Sequence, residues 1–272
     1  MHPILGTLGS VQLRAYGVML AISFIVGIVL ALRRARRAGL DTSMMSNVCL
    51  LILFSSIIGS RALHVWEHSG SYQGQAVRAL SIWEGGLSML GGVVLAIVVS
   101  FLYVKARGVS FRRVADVVVP SLALGLFLTR LGCFMNGCCF GTVCDLPWAV
   151  RFPPISAAGQ QFPGTPIHPT QLYGALTGLV ILALLLLAER HQRPAGYLAG
   201  MFFVLYAIGR FLVEFVRWHE PALVATTVAG VEVTTYQVIC LGLFAVGVYL
   251  LLSAQPAGGQ DVLYGEAKGG TS

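Results

Sequence analysis

Seven apolar runs follow one another along this chain, at about residues 15–32, 44–63, 86–104, 114–134, 171–188, 198–216 and 235–253. Each is close to the ~17–25 residues that a helix needs to cross the hydrocarbon of a bilayer. Lipid offers the backbone no hydrogen-bond partners, so each run is predicted to be a helix that satisfies its own amides and carbonyls. The expected fold is an all-α integral membrane protein, a polytopic bundle of about seven transmembrane helices with a loop region on the outer face. The fourth and sixth runs are the least clean, because each carries charge. Residues 1–253 make a single spanning domain on this reading. The Gly-rich polar stretch 254–272 is expected to be a disordered tail. No internal repeat stands out.

Composition agrees. Of 272 residues, 56% are hydrophobic and 11% charged, where a soluble domain carries roughly 25% charged residues. Such a chain cannot cover its own surface with polar groups, so part of its solvent is the lipid bilayer. The opening "MHPILGTLGSVQLRAYG" lacks a basic segment ahead of a compact apolar core and does not read as a cleavable signal. The net charge of +7 sits in short clusters between the runs, which argues against nucleic acid as a partner. "RRARR" (Arg33 to Arg37) follows the first run, "KARGVSFRR" (Lys105 to Arg113) the third and "ERHQR" (Glu189 to Arg193) the fifth. Positive loops favour the cytoplasm. The N-terminus is therefore expected outside, the C-terminal tail in the cytoplasm, and the region from Asn136 to Pro169 outside.

A charge near mid-membrane costs at least ~2.5–3.5 kcal/mol on insertion scales, so each one needs a reason. Arg61 closes the second run, Asp116 begins the fourth, and Arg130 lies near that run's outer end. In "YAIGRFLVEFVRWHE", Arg210, Glu214 and Arg217 are spaced i, i+4, i+7, with Tyr206 at i−4 on the same stripe. That stripe must face protein or water. An Arg210–Glu214 pair that merely holds helices together is one reading. Arginines on three separate spans, all toward the outer side, favour a shared cationic pocket. Arginine's planar fork matches phosphate, and such a pocket opening to a bilayer reads as a phospholipid headgroup site.

The remaining motifs are less specific. "WEGGLSMLGG" (Trp83 to Gly92) has two glycine pairs, which serve close helix packing or a backbone approach to ligand. Trp83, Trp148 and Trp218 fit an interfacial aromatic belt. In "TPIHPTQLYG", Pro169 can open a helix with Thr170 and Gln171 in its first turn, and His168 stands just before it. Cys49 and Cys240 lie inside runs. Cys133, Cys138, Cys139 and Cys144 form C-x4-C-C-x4-C at the outer boundary, without the C-x2-C pairs of common zinc sites. A structural disulfide or packed thiols is the first reading; a redox pair or metal site ranks below it.

Together, "RAYGVML", "GSR" (Gly59 to Arg61), "WEGGLSMLGG", "TRLGCFMNGCCFG" (Thr129 to Gly141), "HPTQLY" and "GRFLVEFVR" resemble the prolipoprotein diacylglyceryl transferase family of bacterial inner membranes, over about Gln12 to Leu252. Its signature is of the type G-R-x-G-N-F-x-N-x-E-x-x-G, and Arg130, Gly132, Phe134, Asn136 and Gly141 match it. Cys133 stands where the family has Asn, Cys138 where it has Glu, Leu90 where it has His, and Gly174 where Glu is common. The resemblance implies transfer of an sn-1,2-diacylglyceryl group from phosphatidylglycerol to the lipobox cysteine of preprolipoproteins, whose signal peptides would be partners. It implies neither a metal nor an organic cofactor. Arg130 and Arg210 would stabilise the phosphate leaving group, with Arg61 and Arg217 behind them and Glu214 orienting Arg210. Tyr206, Asn136, Gly132 and Gly141 would shape the pocket. His168 is the imidazole left in a matched motif as a base, and Tyr16 would position phosphate or base. Alternatively the cationic pocket itself acidifies the acceptor thiol. Two rival readings are a relative that binds phospholipid or lipidates another acceptor, and a membrane thiol–disulfide protein using Cys138 and Cys139.

The orientation is checked by reporter fusions. A reporter after Ser253 is expected to be active in the cytoplasm, and one inserted at Gly159 to be active outside; a cytoplasmic signal at Gly159 would invert the topology.

Overall fold

The computed structural model describes residues 4–8, 11–72, 78, 81, 86–219, 224–228 and 231–254. Trp83 and residues 255–272, where the tail is expected, lie outside the described residues. Among the described residues, eight α-helices follow in order: α1 (Ala15–Arg37), α2 (Thr42–Glu67), α3 (Met89–Ala106), α4 (Phe111–Asn136), the short α5 (Ala157–Gln161), α6 (Thr170–Ala188), α7 (Tyr197–Glu214) and α8 (Thr235–Ser253). All but α5 are long and apolar enough to cross a membrane, seven in total. Each coincides with one of the seven apolar runs to within a few residues. Many of their large apolar side chains point outward, such as Ile58 at 62% and Leu176 at 61% exposure. That is the surface expected where lipid is the solvent.

The chain divides into two compact units, Leu32–Val114 and Met1–Ala31 with Ala115–Ser272. In the first, Asp41 caps α2 by accepting from the amides of Ser43 and Met44 at 2.9 and 3.2 Å. α2 and α3 then cross at glycines. A Cβ on Gly59 would lie 2.4 Å from the Gly91 carbonyl oxygen, and one on Gly91 2.3 Å from that of Gly59. Gly92 packs equally closely on Ser60 and Ser56. The second glycine pair of "WEGGLSMLGG" is thus a helix-packing surface, where small residues let backbones approach.

In the other unit, Val119 and Ala123 of α4, Ile181 and Leu185 of α6, and Leu198, Ala199 and Phe202 of α7 make one buried cluster. Gly200 and Gly247 also let α7 and α8 cross closely, an added Cβ on each falling 2.9 Å from the other's carbonyl oxygen. Asp116, only 1% exposed, explains its place in α4. Its carboxylate accepts from the amides of Gly196 and Ala199 at 2.7 Å each and so caps the start of α7. Helix starts carry unpaired amides and positive potential, and both favour a carboxylate there.

Two antiparallel hairpins add to the helical expectation. β1 (Ile4–Leu8) pairs with β2 (Val11–Arg14), and β3 (Val224–Val228) with β4 (Val231–Thr234). The first has the register Ile4↔Arg14, Gly6↔Leu13, Thr7↔Gln12, Leu8↔Val11. The second has Val224↔Thr234, Thr226↔Val233, Thr227↔Glu232, Val228↔Val231. Every pair recurs 220 positions on (224 against 4, 234 against 14), down to the same register shift after the first partner. Each hairpin runs straight into a spanning helix, and Tyr16 and Tyr236 are the second residues of those helices. A repeat absent from the sequence reading is therefore present in the backbone.

Gly59→Val should disrupt the α2–α3 crossing and lower stability in detergent by about 1–3 kcal/mol. Gly242→Ala, where an added Cβ meets nothing within 4 Å, should leave it unchanged or raise it by up to about 1 kcal/mol through helix propensity. Thermal unfolding of the purified protein checks both.

Candidate active site at the ends of α4 and α7

The last turns of α4 carry Arg130, Gly132, Cys133 and Asn136. α4 ends in a tight reversal, with Gly137 at φ +70° and the Cys138 amide donating to the Cys133 carbonyl at 3.2 Å. Two residues on, Cys139 adopts φ +58°, the one non-glycine among the described residues in this region. That conformation is unfavourable for a side chain with a Cβ and has to be held. The first turn of α6 holds it. Gln171 Nε2 donates to the Cys138 carbonyl and Thr170 Oγ1 to the Cys139 carbonyl, both at 2.8 Å. "HPTQ" therefore clamps the signature loop.

The chain then runs into strand-like pairing. The Gly141 amide donates to the His168 carbonyl, the Thr142 amide to that of Val216, and the Trp218 amide to that of Phe140, at 2.9–3.1 Å. A Cβ on Gly141 would fall 2.5–2.7 Å from His168 and Val216, so only glycine lets these strands close. Phe140, Phe152, Ala158 and Ile167 form the core of this loop region. Trp218 stacks on Phe140 with ring centroids 5.4 Å apart. The aromatic-belt expectation is corrected for Trp218, which packs into the loop core. Trp148 is exposed, and its Nε1 donates to Tyr173.

These elements enclose a small cavity whose wall includes Arg130, Cys139, Thr170, Tyr206, Arg210 and Arg217. The stripe Tyr206–Arg210–Arg217 thus faces the end of α4. Arg130 lies over Gly174, where a Cβ would sit 3.1 Å from its Cδ and Nε. Arg210 forms an ion pair with Glu214, which is 2% exposed. The other Glu214 oxygen accepts from Thr234 Oγ1 at 3.1 Å. Thr234 closes a capping box on α8 with Gln237. The Tyr236 ring lies under both cations, 5.2 Å from Arg210 and 5.8 Å from Arg217.

The other expected site residues fall as follows. Tyr16 lies within electrostatic reach of Arg130 and of Cys133, Cys138 and Cys139. Gly132 lets α1 approach α4, with Met19 Cβ 2.8 Å from an added Cβ. Asn136, the last residue of α4, stands beside the Cys138 thiol, which donates to the Cys133 carbonyl. His168 is not among the residues lining the cavity; its Nδ1 meets the Tyr173 hydroxyl at 3.2 Å. Arg61 belongs to the other unit, where it donates to the carbonyls of Gly86 and Arg78 and lies 5.4 Å from the Tyr72 ring centroid.

Of the four boundary cysteines, Cys133, Cys138 and Cys139 come together, with sulfurs all within 4.8 Å of one another, while Cys144 stands apart. Hydrogen bonds from the Cys133 and Cys138 thiols, and then the charges of Arg217 and Arg130, hold the Cys139 thiol well below its usual range against its desolvation. Thr170, Gln171, Thr234 and Tyr236 were not singled out as site residues from sequence. "TTYQ" did carry the Thr-x-x-Gln pattern of a capping box. What that cap meets is a tertiary contact with no sequence signal.

The chain is thus a polytopic membrane protein with a cavity walled by three arginines at the ends of its spanning helices. Comparison with known proteins gives the family. The family model described as prolipoprotein diacylglyceryl transferase matches residues 3–253. A phosphatidylglycerol–prolipoprotein diacylglyceryl transferase of Nitratidesulfovibrio vulgaris is 37% identical over 256 residues, 93% of each chain. Proteins of the same name from Mannheimia succiniciproducens (34%; 93% of this chain, 92% of the relative) and Methylococcus capsulatus (33%; 93% and 95%) are similarly close. The chain belongs to the prolipoprotein diacylglyceryl transferase family.

Thr234→Val should leave one buried oxygen of Glu214 unmet and lower stability by about 1–3 kcal/mol. Thr234→Ser keeps the hydroxyl and should not. Unfolding in detergent distinguishes them.

Proposed function

We propose that this protein transfers an sn-1,2-diacylglyceryl group from phosphatidylglycerol to the lipobox cysteine of preprolipoproteins, in the bacterial inner membrane, with its N-terminus and cavity on the outer side and its C-terminus in the cytoplasm. The observation that carries the reading is the convergence of Arg130, Arg210 and Arg217 on one cavity at helix ends. A phospholipid brings its phosphate to that depth.

In the reaction the acceptor sulfur attacks the glycerol carbon that bears the phosphate ester. The carbon–oxygen bond breaks, a thioether forms, and glycerol phosphate leaves with its new charge on oxygen. Arg130 and Arg210 stabilise that charge, which is worth most in a site shielded from water. Glu214 fixes the Arg210 fork from one side and the Tyr236 ring supports it from another. Arg217 adds charge, held in place by its backbone bridge to Gly141. Tyr206 lines the wall. Tyr16, within electrostatic reach of Arg130, helps to position the phosphate. With His168 turned to Tyr173, the cationic field, rather than an imidazole on the cavity wall, acidifies the acceptor thiol.

Purified protein with phosphatidylglycerol vesicles and a lipobox peptide should yield the thioether by mass spectrometry, and the gene should rescue a strain depleted of its own diacylglyceryl transferase. Arg130→Lys keeps charge but loses the bidentate fork, so transfer should fall steeply while the protein stays in the membrane. Tyr236→Leu should lower transfer by about 2- to 30-fold, the ~0.5–2 kcal/mol of a cation–π contact, and Tyr236→Phe should restore it. Wild-type rates in both Arg130→Lys and Arg210→Ala would overturn the phosphate-site reading.

A further inference from the structure

The cavity supplies three cations for the leaving group but, among the described residues that line it, no imidazole and no carboxylate. The cationic field favours the thiolate form of the acceptor, but something has also to take its proton on binding and hold the sulfur in place. Cys139 stands on the cavity wall, and behind it are Cys133 and Cys138; the three sulfurs lie within 4.8 Å of one another. Sulfurs bound at about 2.3 Å to one tetrahedral or trigonal ion are about 3.8–4.0 Å apart, so the triad is already on that scale.

The triad is also built rather than incidental. Cys133 is 5% exposed on α4. Cys138 and Cys139 are brought to it by a left-handed backbone at Cys139 that two side-chain hydrogen bonds from α6 fasten. Charge supports a metal too. Three thiolates and a divalent cation leave one net negative charge, and Arg130, Arg210 and Arg217 border the same cavity. Three protein ligands with one position free is the pattern of a zinc site that handles substrate, whereas four make a closed structural site. Cys144, the sulfur that would complete a set of four, is not in the cluster.

We infer that Cys133, Cys138 and Cys139 bind a zinc-class divalent ion and that its open position takes the acceptor cysteine as a thiolate. This rests on the transfer reading above. The acceptor thiol gives up its proton to water as it binds, since a metal-bound thiol is deprotonated outright. Its sulfur lone pair then makes the bond to the glycerol carbon, and the carbon–oxygen electron pair leaves on the phosphate oxygen that faces the arginines. Nothing is oxidised or reduced, and the ion is unchanged at the end.

The test uses the full chain, purified in detergent under reducing conditions. Elemental analysis should find about one zinc per chain. Exchange for cobalt(II) should give thiolate-to-cobalt charge-transfer bands, and these should shift when a lipobox peptide is added without lipid. Cys133→Ser, Cys138→Ser and Cys139→Ser should each weaken zinc binding by at least about tenfold, and Cys144→Ser should not. A chelator should abolish thioether formation and zinc should restore it. Transfer at full rate by metal-free protein, or zinc content unchanged in all three triad variants, would overturn the metal site and leave the transfer reading standing. So would a disulfide within the triad in active protein. Bound zinc, with a cobalt spectrum indifferent to the peptide and no thioether under any loading, would overturn the transfer reading and the acceptor role while the metal site stood.

Discussion

A carboxylate with almost no exposed surface, at the end of a spanning helix, is costly to bury unless partners meet it from more than one side. Glu214 is in that position, and the cavity depends on how it is met. Arg210 from its own helix supplies the countercharge, and Thr234 from the start of α8 supplies a hydroxyl. The second contact ties the fork of Arg210 to a different helix, so its direction is set by two elements at once. Tyr236, two residues further, then lies beneath Arg210 and Arg217 together. The glycine crossing of Gly200 and Gly247 keeps α7 and α8 close enough for this to happen. One buried carboxylate thus links helix packing, cation geometry and the wall of the cavity.

The spans were legible because lipid allows so few solutions. A run that is apolar throughout and of the right length has to be a helix, and all seven are found where hydropathy places them. α4 reaches Phe111 and Asn136, beyond the 114–134 run, because polar ends can continue a helix once it leaves the hydrocarbon. The stripe of Tyr206, Arg210 and Arg217 was legible for the complementary reason: charge cannot face lipid. Arg61 obeys the same rule by other means, since backbone carbonyls can meet a guanidinium as well as a phosphate can. The hairpins left no trace in hydropathy, because their short strands are neither apolar nor polar throughout. Trp218 looked interfacial because of its place after a span, and only the folded loop reveals Phe140 beneath it.

The signature loop departs from its family's pattern at several positions that the structure brings close together. Cys133 and Cys138 replace amide and carboxylate groups, and each now meets other thiols. Gly174 leaves open the space over which Arg130 lies, and a Cβ there would press on the arginine stem at 3.1 Å. The loop is tethered by Thr170 and Gln171 across on α6.

The order in which the chain is made gives the Glu214 arrangement a further meaning. Arg210 and Glu214 are four residues apart on one helix, so they reach the membrane together as a neutral pair. Thr234 and Tyr236 emerge only later, ahead of the last spanning helix. The α7 segment can therefore be inserted before the cap that fixes its carboxylate exists. Until α8 arrives, the pair is electrically acceptable to the bilayer but not yet aimed. Insertion is thereby separated from orientation: a nascent chain arrested before α8 would hold Arg210 and Glu214 in the membrane without the Thr234 hydroxyl that fixes their geometry.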